Sequence, residues 1–138
     1  MPSSLRFVLA LLALAAVSGG TAVVVVYRQD DAAARIDAEA LAGGHVDAGK
    51  SAIVRYGCGG CHAIEGVRSA RGQVGPALDG LATHSEVAGR LSNQPDALIR
   101  WIRFPQQVAP GNGMPDLGVG EQDARDIAAY LYTLRPSP

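Results

Sequence analysis

Cys58-Gly59-Gly60-Cys61-His62 is the stretch on which the reading of this chain turns. Two thiols separated by two residues and followed at once by an imidazole form the pattern for covalent haem attachment. The sulfurs add to the two vinyl groups of one porphyrin, and the histidine ligates the iron. About one helical turn of backbone carries both sulfurs along one porphyrin edge and leaves the His62 imidazole facing the metal. The expectation is one covalently held haem c, with Cys58, Cys61 and His62 as its first anchors.

Three other uses of these residues fit less well. A thioredoxin-type redox pair wants a βαβ context, and no alternation of strand and helix patterns surrounds the cysteines. For zinc, Cys58, Cys61 and His62 could be three ligands, yet there is no second cysteine pair and no second histidine at the spacing that closes a tetrahedron. A disulfide between residues three apart would close a trivially small loop.

Working outward, Ala48 to Tyr56 reads as a short helix capped by Asp47 that delivers the chain to Gly57 and the cysteines. Gly49 and Ile53 share a face, so a partner helix can approach closely at the glycine. Downstream lies a glycine-rich loop, Gly66 to Gly80, stiffened by Gly75-Pro76, with Arg68 and Arg71 on its approach, near a haem propionate, facing a partner, or simply solvated. Pro95 to Phe104 reads as a helix with Leu98, Trp101 and Ile102 at spacings of three and four. Trp101 is a core residue whose indole nitrogen needs a partner if buried, and a haem propionate would be one. The loop Val108 to Pro115 holds two prolines, two glycines and Met114, the only methionine apart from Met1. If a thioether is the second axial ligand it is Met114, with His84 as the fallback. Glu121 to Leu134 closes the chain as a helix with apolar positions Ala124, Ile127, Ala128, Leu131 and Leu134, begun at Gly120 and stopped by Pro136. It is expected to cross the Gly49 helix at Tyr130 or Leu131.

Before all this, Phe7 to Tyr27 is an uncharged run of 21 residues. At about 1.5 Å per residue it crosses a hydrocarbon core of about 30 Å. Arg6 precedes it and Asp30 and Asp31 follow, which favours a cytoplasmic amino terminus and an exported remainder. A cleaved signal peptide with its apolar region at Leu5 to Val17 is the competing reading; Val23 to Val26 continue the apolar run past that cut and favour a retained anchor. The layout is therefore an anchor at 1–28, a linker or helical stalk at 29–45 and a haem domain at 46–138. His45, in the junction, reads as a solvated residue.

Composition sets outer limits. The 138 residues carry a net charge of −1, with no basic stripe of the kind nucleic acid requires, so no nucleic-acid partner is expected. Seven aromatic residues are few for a small core, and a haem would supply the missing apolar bulk.

Taken together, Cys58 to His62, Gly75-Pro76, the Met114 loop and the helix containing Ala129-Tyr130-Leu131 resemble a class I c-type cytochrome over about the last two thirds of the chain. The resemblance implies an all-α fold, here the class I cytochrome c fold preceded by one N-terminal transmembrane helix. It also implies thioether bonds from Cys58 and Cys61, axial His62 and Met114, and the Pro76 carbonyl as acceptor for the His62 imidazole N–H. The run Leu98 to Arg103, then Pro105 and Pro110 to Pro115, is similar to the cytochrome c domain fused to subunit II of some haem-copper oxidases, although no cupredoxin region or copper-ligand cluster accompanies it. The function this implies is single-electron transfer without catalysis on the outer, periplasmic face of a bacterial cytoplasmic membrane. A quinol:cytochrome c oxidoreductase would be the donor and a haem-copper oxidase the acceptor. Alternatives are a cytochrome subunit of a nitric oxide reductase and a haem-based sensor.

Overall fold

The alanine-rich stretch after the apolar run contains no helix breaker until Gly43, and in the computed structural model, which describes residues 3–135, a single helix α1 runs from Ser3 to Ala42. Gly43 takes φ 66, and the N–H groups of Gly43 and Gly44 both donate to the Glu39 carbonyl, at 2.9 and 3.3 Å. A left-handed residue just past the last turn is the usual way to satisfy free carbonyls at a helix end. The segment read as linker or stalk is thus helical as far as Ala42.

The chain forms two compact units that part between Ala34 and Arg35. In the first, α1 is long and apolar enough to cross a membrane, and its side chains from Phe7 to Val26 are exposed. The second begins ahead of the boundary expected at residue 46, because Ala38 and Ala42 are buried to 3% and 1% exposure.

Within the second unit, α2 (Val46–Arg55) packs most extensively against α5 (Glu121–Tyr132). Gly49 sets the contact: a Cβ there would lie 1.9 Å from the Asp126 carbonyl oxygen. The crossing therefore falls at Asp126-Ile127, one turn earlier than the expected Tyr130 or Leu131. Val46, Ala52 and Ile53 of α2 and Ala124, Ile127, Ala128 and Leu131 of α5 fill the interface.

Asp47 does not cap α2. The N-cap position is His45, which makes no side-chain cap, and the first N–H groups go to distant carboxylates instead. The His45 N–H donates to Asp126 Oδ1 at 2.8 Å and the Val46 N–H to Glu39 Oε1 at 2.9 Å. Asp126 is the one buried charged residue among those described, and Gln122 Nε2 also donates to it at 2.9 Å. A carboxylate at a helix N-terminus satisfies free donors and complements the helix dipole. Asp126→Ala should cost about 2 kcal/mol, the upper range for a lost cap, and Asp126→Asn less, because its amide oxygen still accepts. Chemical denaturation of the haem-loaded protein measures both.

Two shorter α-helices and a hairpin lie between α2 and α5. α3 (Pro95–Arg103) buries Leu98, Ile99 and Ile102 against α5. It stops one residue short of the expected Phe104, and a single-turn helix α4 (Pro105–Val108) follows. Strands β1 (Glu86–Val87) and β2 (Leu91–Ser92) pair antiparallel, a small departure from an all-helical unit. Pro136, read as the stop for α5, lies outside the described residues.

The start of α5 ties the helices together. Asp123 accepts from Arg55 Nη2 at 2.6 Å and from the Tyr56 hydroxyl at 2.7 Å, while Glu121 faces Arg103 and Arg125 at 3.2 and 3.1 Å. Chiefly the Tyr56 hydrogen bond, then Arg55, holds the Asp123 carboxyl below its usual range. A depressed carboxylate contributes stability above its unfolded value, and that contribution is lost as pH falls through the lowered folded value. Tyr56→Phe should therefore raise the pH at which acid unfolding begins, read from a circular-dichroism titration.

Candidate functional site

Gly57, at φ 70, turns the chain out of α2 into a tight turn, Cys58–Gly60. The N–H groups of Cys61 and His62 donate to the Cys58 carbonyl at 3.2 and 3.0 Å, which brings both cysteines and the histidine onto one turn. Both thiols are free and half-buried. Burial pushes the Cys58 thiol up from its ordinary value, the opposite of the depressed thiol that a nucleophilic redox pair uses. Among the described residues no three His, Cys, Asp or Glu side chains converge on a common point, so these three do not form a zinc-type cluster.

The glycine-rich loop winds tightly round this turn. Gly72 N–H donates to the Gly59 carbonyl at 3.0 Å, Gly75 N–H to the Cys61 carbonyl at 2.9 Å, and Leu78 N–H to the Ala63 carbonyl at 2.9 Å. Gly75 lies flat against the imidazole: a Cβ there would sit 2.4 Å from His62 Cε1. Next to it, the Pro76 carbonyl oxygen is 2.7 Å from His62 Nδ1. A carbonyl can only accept, so Nδ1 carries the proton and Nε2 of the neutral ring keeps its lone pair. The ring is thus held in the tautomer and orientation that an iron ligand needs. The loop is fastened from behind by the Tyr130 hydroxyl, which donates to the Glu65 carbonyl at 2.7 Å.

Met114 lies on a separate loop between α4 and α5, half-buried. Its N–H donates to Asn112 Oδ1 and its carbonyl accepts from Gln106 Nε2, both at 2.7 Å. The prolines and glycines of this loop announced a constrained segment, but Gln106 and Asn112, which hold it, were not singled out in the sequence. An asparagine between two glycines is a common local hydrogen-bonding turn former, and that was the available signal.

Trp101 sits half-buried at the edge of the α3 face made by Leu98, Ile99 and Ile102. It is therefore not a core residue, and no protein group among those described takes its indole N–H. Arg68 and Arg71 are exposed, without an ion pair among the described residues, and so is His84.

These residues fit a haem. Two thiols and an oriented imidazole share one turn, a thioether is held on a separate hydrogen-bonded loop, and the largest fully buried side chains are only Ile53, Val46 and Pro105. So modest an interior leaves apolar bulk to be supplied by the cofactor.

Comparison with known proteins agrees. The family model described as Cytochrome c matches residues 46–135. The chain is 35% identical over 88 residues to "Cytochrome c oxidase subunit 2" of Alkalihalophilus pseudofirmus, covering 63% of this chain and 25% of that protein. It is 31% identical over 88 residues to the protein of the same name from Bacillus sp. (strain PS3), covering 61% and 25%. The match thus spans about a quarter of the length of these relatives. No significant match to a solved structure was found. The chain belongs to the cytochrome c family, with covalently attached haem c as its cofactor.

Proposed function

We propose that this protein is a membrane-anchored carrier that passes single electrons to a haem-copper oxidase on the outer, periplasmic face of a bacterial cytoplasmic membrane, with a quinol:cytochrome c oxidoreductase as its source. Electron transfer itself follows from the family. The observation that carries the reading is the His62 imidazole held by the Pro76 carbonyl at 2.7 Å directly behind the two cysteines.

Bound haem c supplies a one-electron couple between ferrous and ferric iron. Cys58 and Cys61 fix it by thioether bonds, so it is not lost in use. His62 offers Nε2 to the iron while Pro76 holds the other ring nitrogen, and Met114 offers the second, softer ligand. Thioether ligation favours the reduced state and raises the potential. Were His62 and Met114 both to hold the iron, no open coordination site would remain for substrate, which suits a carrier rather than an enzyme. Trp101, half-buried, would donate its indole N–H to a haem propionate. Likeness to proteins named as oxidase subunit 2 supports an oxidase as acceptor. The apolar α1 supports an anchor, and Arg6 before it with Asp30 and Asp31 after it supports an exported haem unit.

Denaturing electrophoresis with haem-peroxidase staining tests the attachment. The full chain should give a stained band that survives acid acetone, and the Cys58→Ala, Cys61→Ala double variant should give none. A stained band that acid acetone abolishes would contradict the covalent reading. Copurification from gently solubilised membranes tests the acceptor: a haem-copper oxidase is expected, and a reductase in its place would redirect the assignment.

A further inference from the structure

We propose that Gln106 and Asn112 are positioning residues that hold Met114 on the iron and thereby set both the reduction potential and the resistance of the sixth position to outside ligands. The inference rests on the reading of Met114 as the axial thioether.

Each amide donates two hydrogen bonds and accepts one. Gln106, on α4, donates through Nε2 to the Met114 carbonyl at 2.7 Å and to the Asn112 carbonyl at 3.0 Å, and accepts from the Gly111 N–H at 3.1 Å. Asn112 donates through Nδ2 to the carbonyls of Ala109 at 2.7 Å and Pro105 at 2.9 Å, and its Oδ1 accepts from the Met114 N–H at 2.7 Å. Four of these partners are carbonyls and two are N–H groups, so each amide's orientation is fixed by its partners. Pro105, which opens α4, and Ala109, which caps its end, are both buried, so the clamp is fastened to a buried part of the fold. Both backbone polar groups of Met114 thus end on side chains, one carried by α4 (Gln106) and one bonded back to it (Asn112).

The consequence is chemical. A thioether is a weak, neutral ligand, and its bond to iron survives only if the departed state is disfavoured by the protein. With the N–H and the carbonyl of Met114 both pinned, its sulfur can leave only by rotation of its own side chain or by breaking the clamp. Cutting the clamp gives the sulfur many positions in place of one, and the loss falls hardest on the ferrous state, which the thioether favours.

The test uses full-length, haem-loaded protein carrying Gln106→Glu or Asn112→Asp, which keep size but remove the amide donors, with the uncharged Gln106→Leu as a further variant should either fail to mature. Each should keep its covalent haem and bind carbon monoxide in the reduced state at least tenfold more readily than the parent. The potential should fall by about 59 mV for each tenfold loss of ferrous preference. Asn93→Ala is the control for a merely structural role: it removes comparable hydrogen bonds, to the carbonyls of Leu81 and His84, away from Met114. It should lower stability and leave potential and carbon monoxide binding unchanged. Parent-like potential and carbon monoxide resistance in the clamp variants, or equal changes in Asn93→Ala, would overturn the proposal. Met114→Ala separates the two claims: if it keeps the parent's sulfur-to-iron charge-transfer band, the ligand reading fails, whereas loss of that band beside unaffected clamp variants means that only the clamp fails.

Discussion

Met114→Ala is expected to remove the weak sulfur-to-iron charge-transfer band of the oxidised protein, open the reduced iron to carbon monoxide and lower the potential by well over 59 mV, the shift that corresponds to tenfold for one electron. The size follows from what is lost. Thioether ligation raises the potential of a histidine-ligated haem, and alanine leaves either an open position or a harder replacement ligand. Met1 and Met114 are the only methionines, so no second thioether in the haem unit can take over. Redox titration with carbon monoxide addition reads both effects, and an unchanged spectrum would assign the sixth position elsewhere, His84 first.

Gly49→Ala should be the most damaging substitution for stability. Its Cβ would lie 1.9 Å from the Asp126 carbonyl oxygen and 2.5 Å from the adjoining carbonyl carbon, so backbone and not a flexible side chain is in the way. Overpacking of this kind costs about 3 kcal/mol or more, a large share of a domain stability of about 5–15 kcal/mol. Separating α2 from α5 would also draw Asp126 away from the N-terminus of α2. Gly60→Ala is the contrast: although it lies inside the haem-attachment stretch, its Cβ meets nothing within 4 Å. The expected outcome is parent-like haem content for Gly60→Ala and little or no mature protein for Gly49→Ala. Equal yields would show that the helix crossing is looser than the geometry indicates.

How far the sequence could be read depended on whether a feature was local. The haem-attachment turn, Gly57, the Gly75-Pro76 pair and the helices around Leu98 and Ile127 are set by neighbouring residues, and each stood in the expected place. What escaped was held by partners far along the chain. Asp126 lay outside the apolar face read for α5, so nothing local indicated burial; it is buried because His45, 81 residues away, presents an N–H to it. The Glu39 cap is only seven residues from Val46, but it reaches back across the Gly43-Gly44 helix end, and with it the compact unit that carries the haem motif extends back to Arg35. The hairpin at Glu86–Ser92 was hard to see because its strands have two residues each and its turn begins with Ala88 at φ 55, which leaves Gly89 at φ 61 as the one residue that marked it. Gln106, on α4, has nothing in its sequence context to mark it, and Asn112 has only its place between two glycines; their hydrogen bonds set them apart.

The anchored-carrier reading also bears on why the docking surface can be weak. From His45 onward the chain carries nine basic and nine acidic residues, too even a balance for strong long-range steering. In that reading the anchor compensates by confining the carrier beside its partner, and tethers that span the sites raise effective concentration to about the millimolar range. A soluble fragment for comparison has to start no later than Arg35, because a cut near His45 would remove Glu39 from the Val46 N–H and strip Ala38 and Ala42 from the unit.

Stopped-flow oxidation of the reduced protein by a haem-copper oxidase in reconstituted membranes is the most direct test of an anchored electron carrier. The full chain should be oxidised within the oxidase's turnover time, and the fragment starting at Arg35, with the same spectrum and at equal total amount, should be oxidised much more slowly. No oxidation of either form, or equal rates for both, would contradict the account.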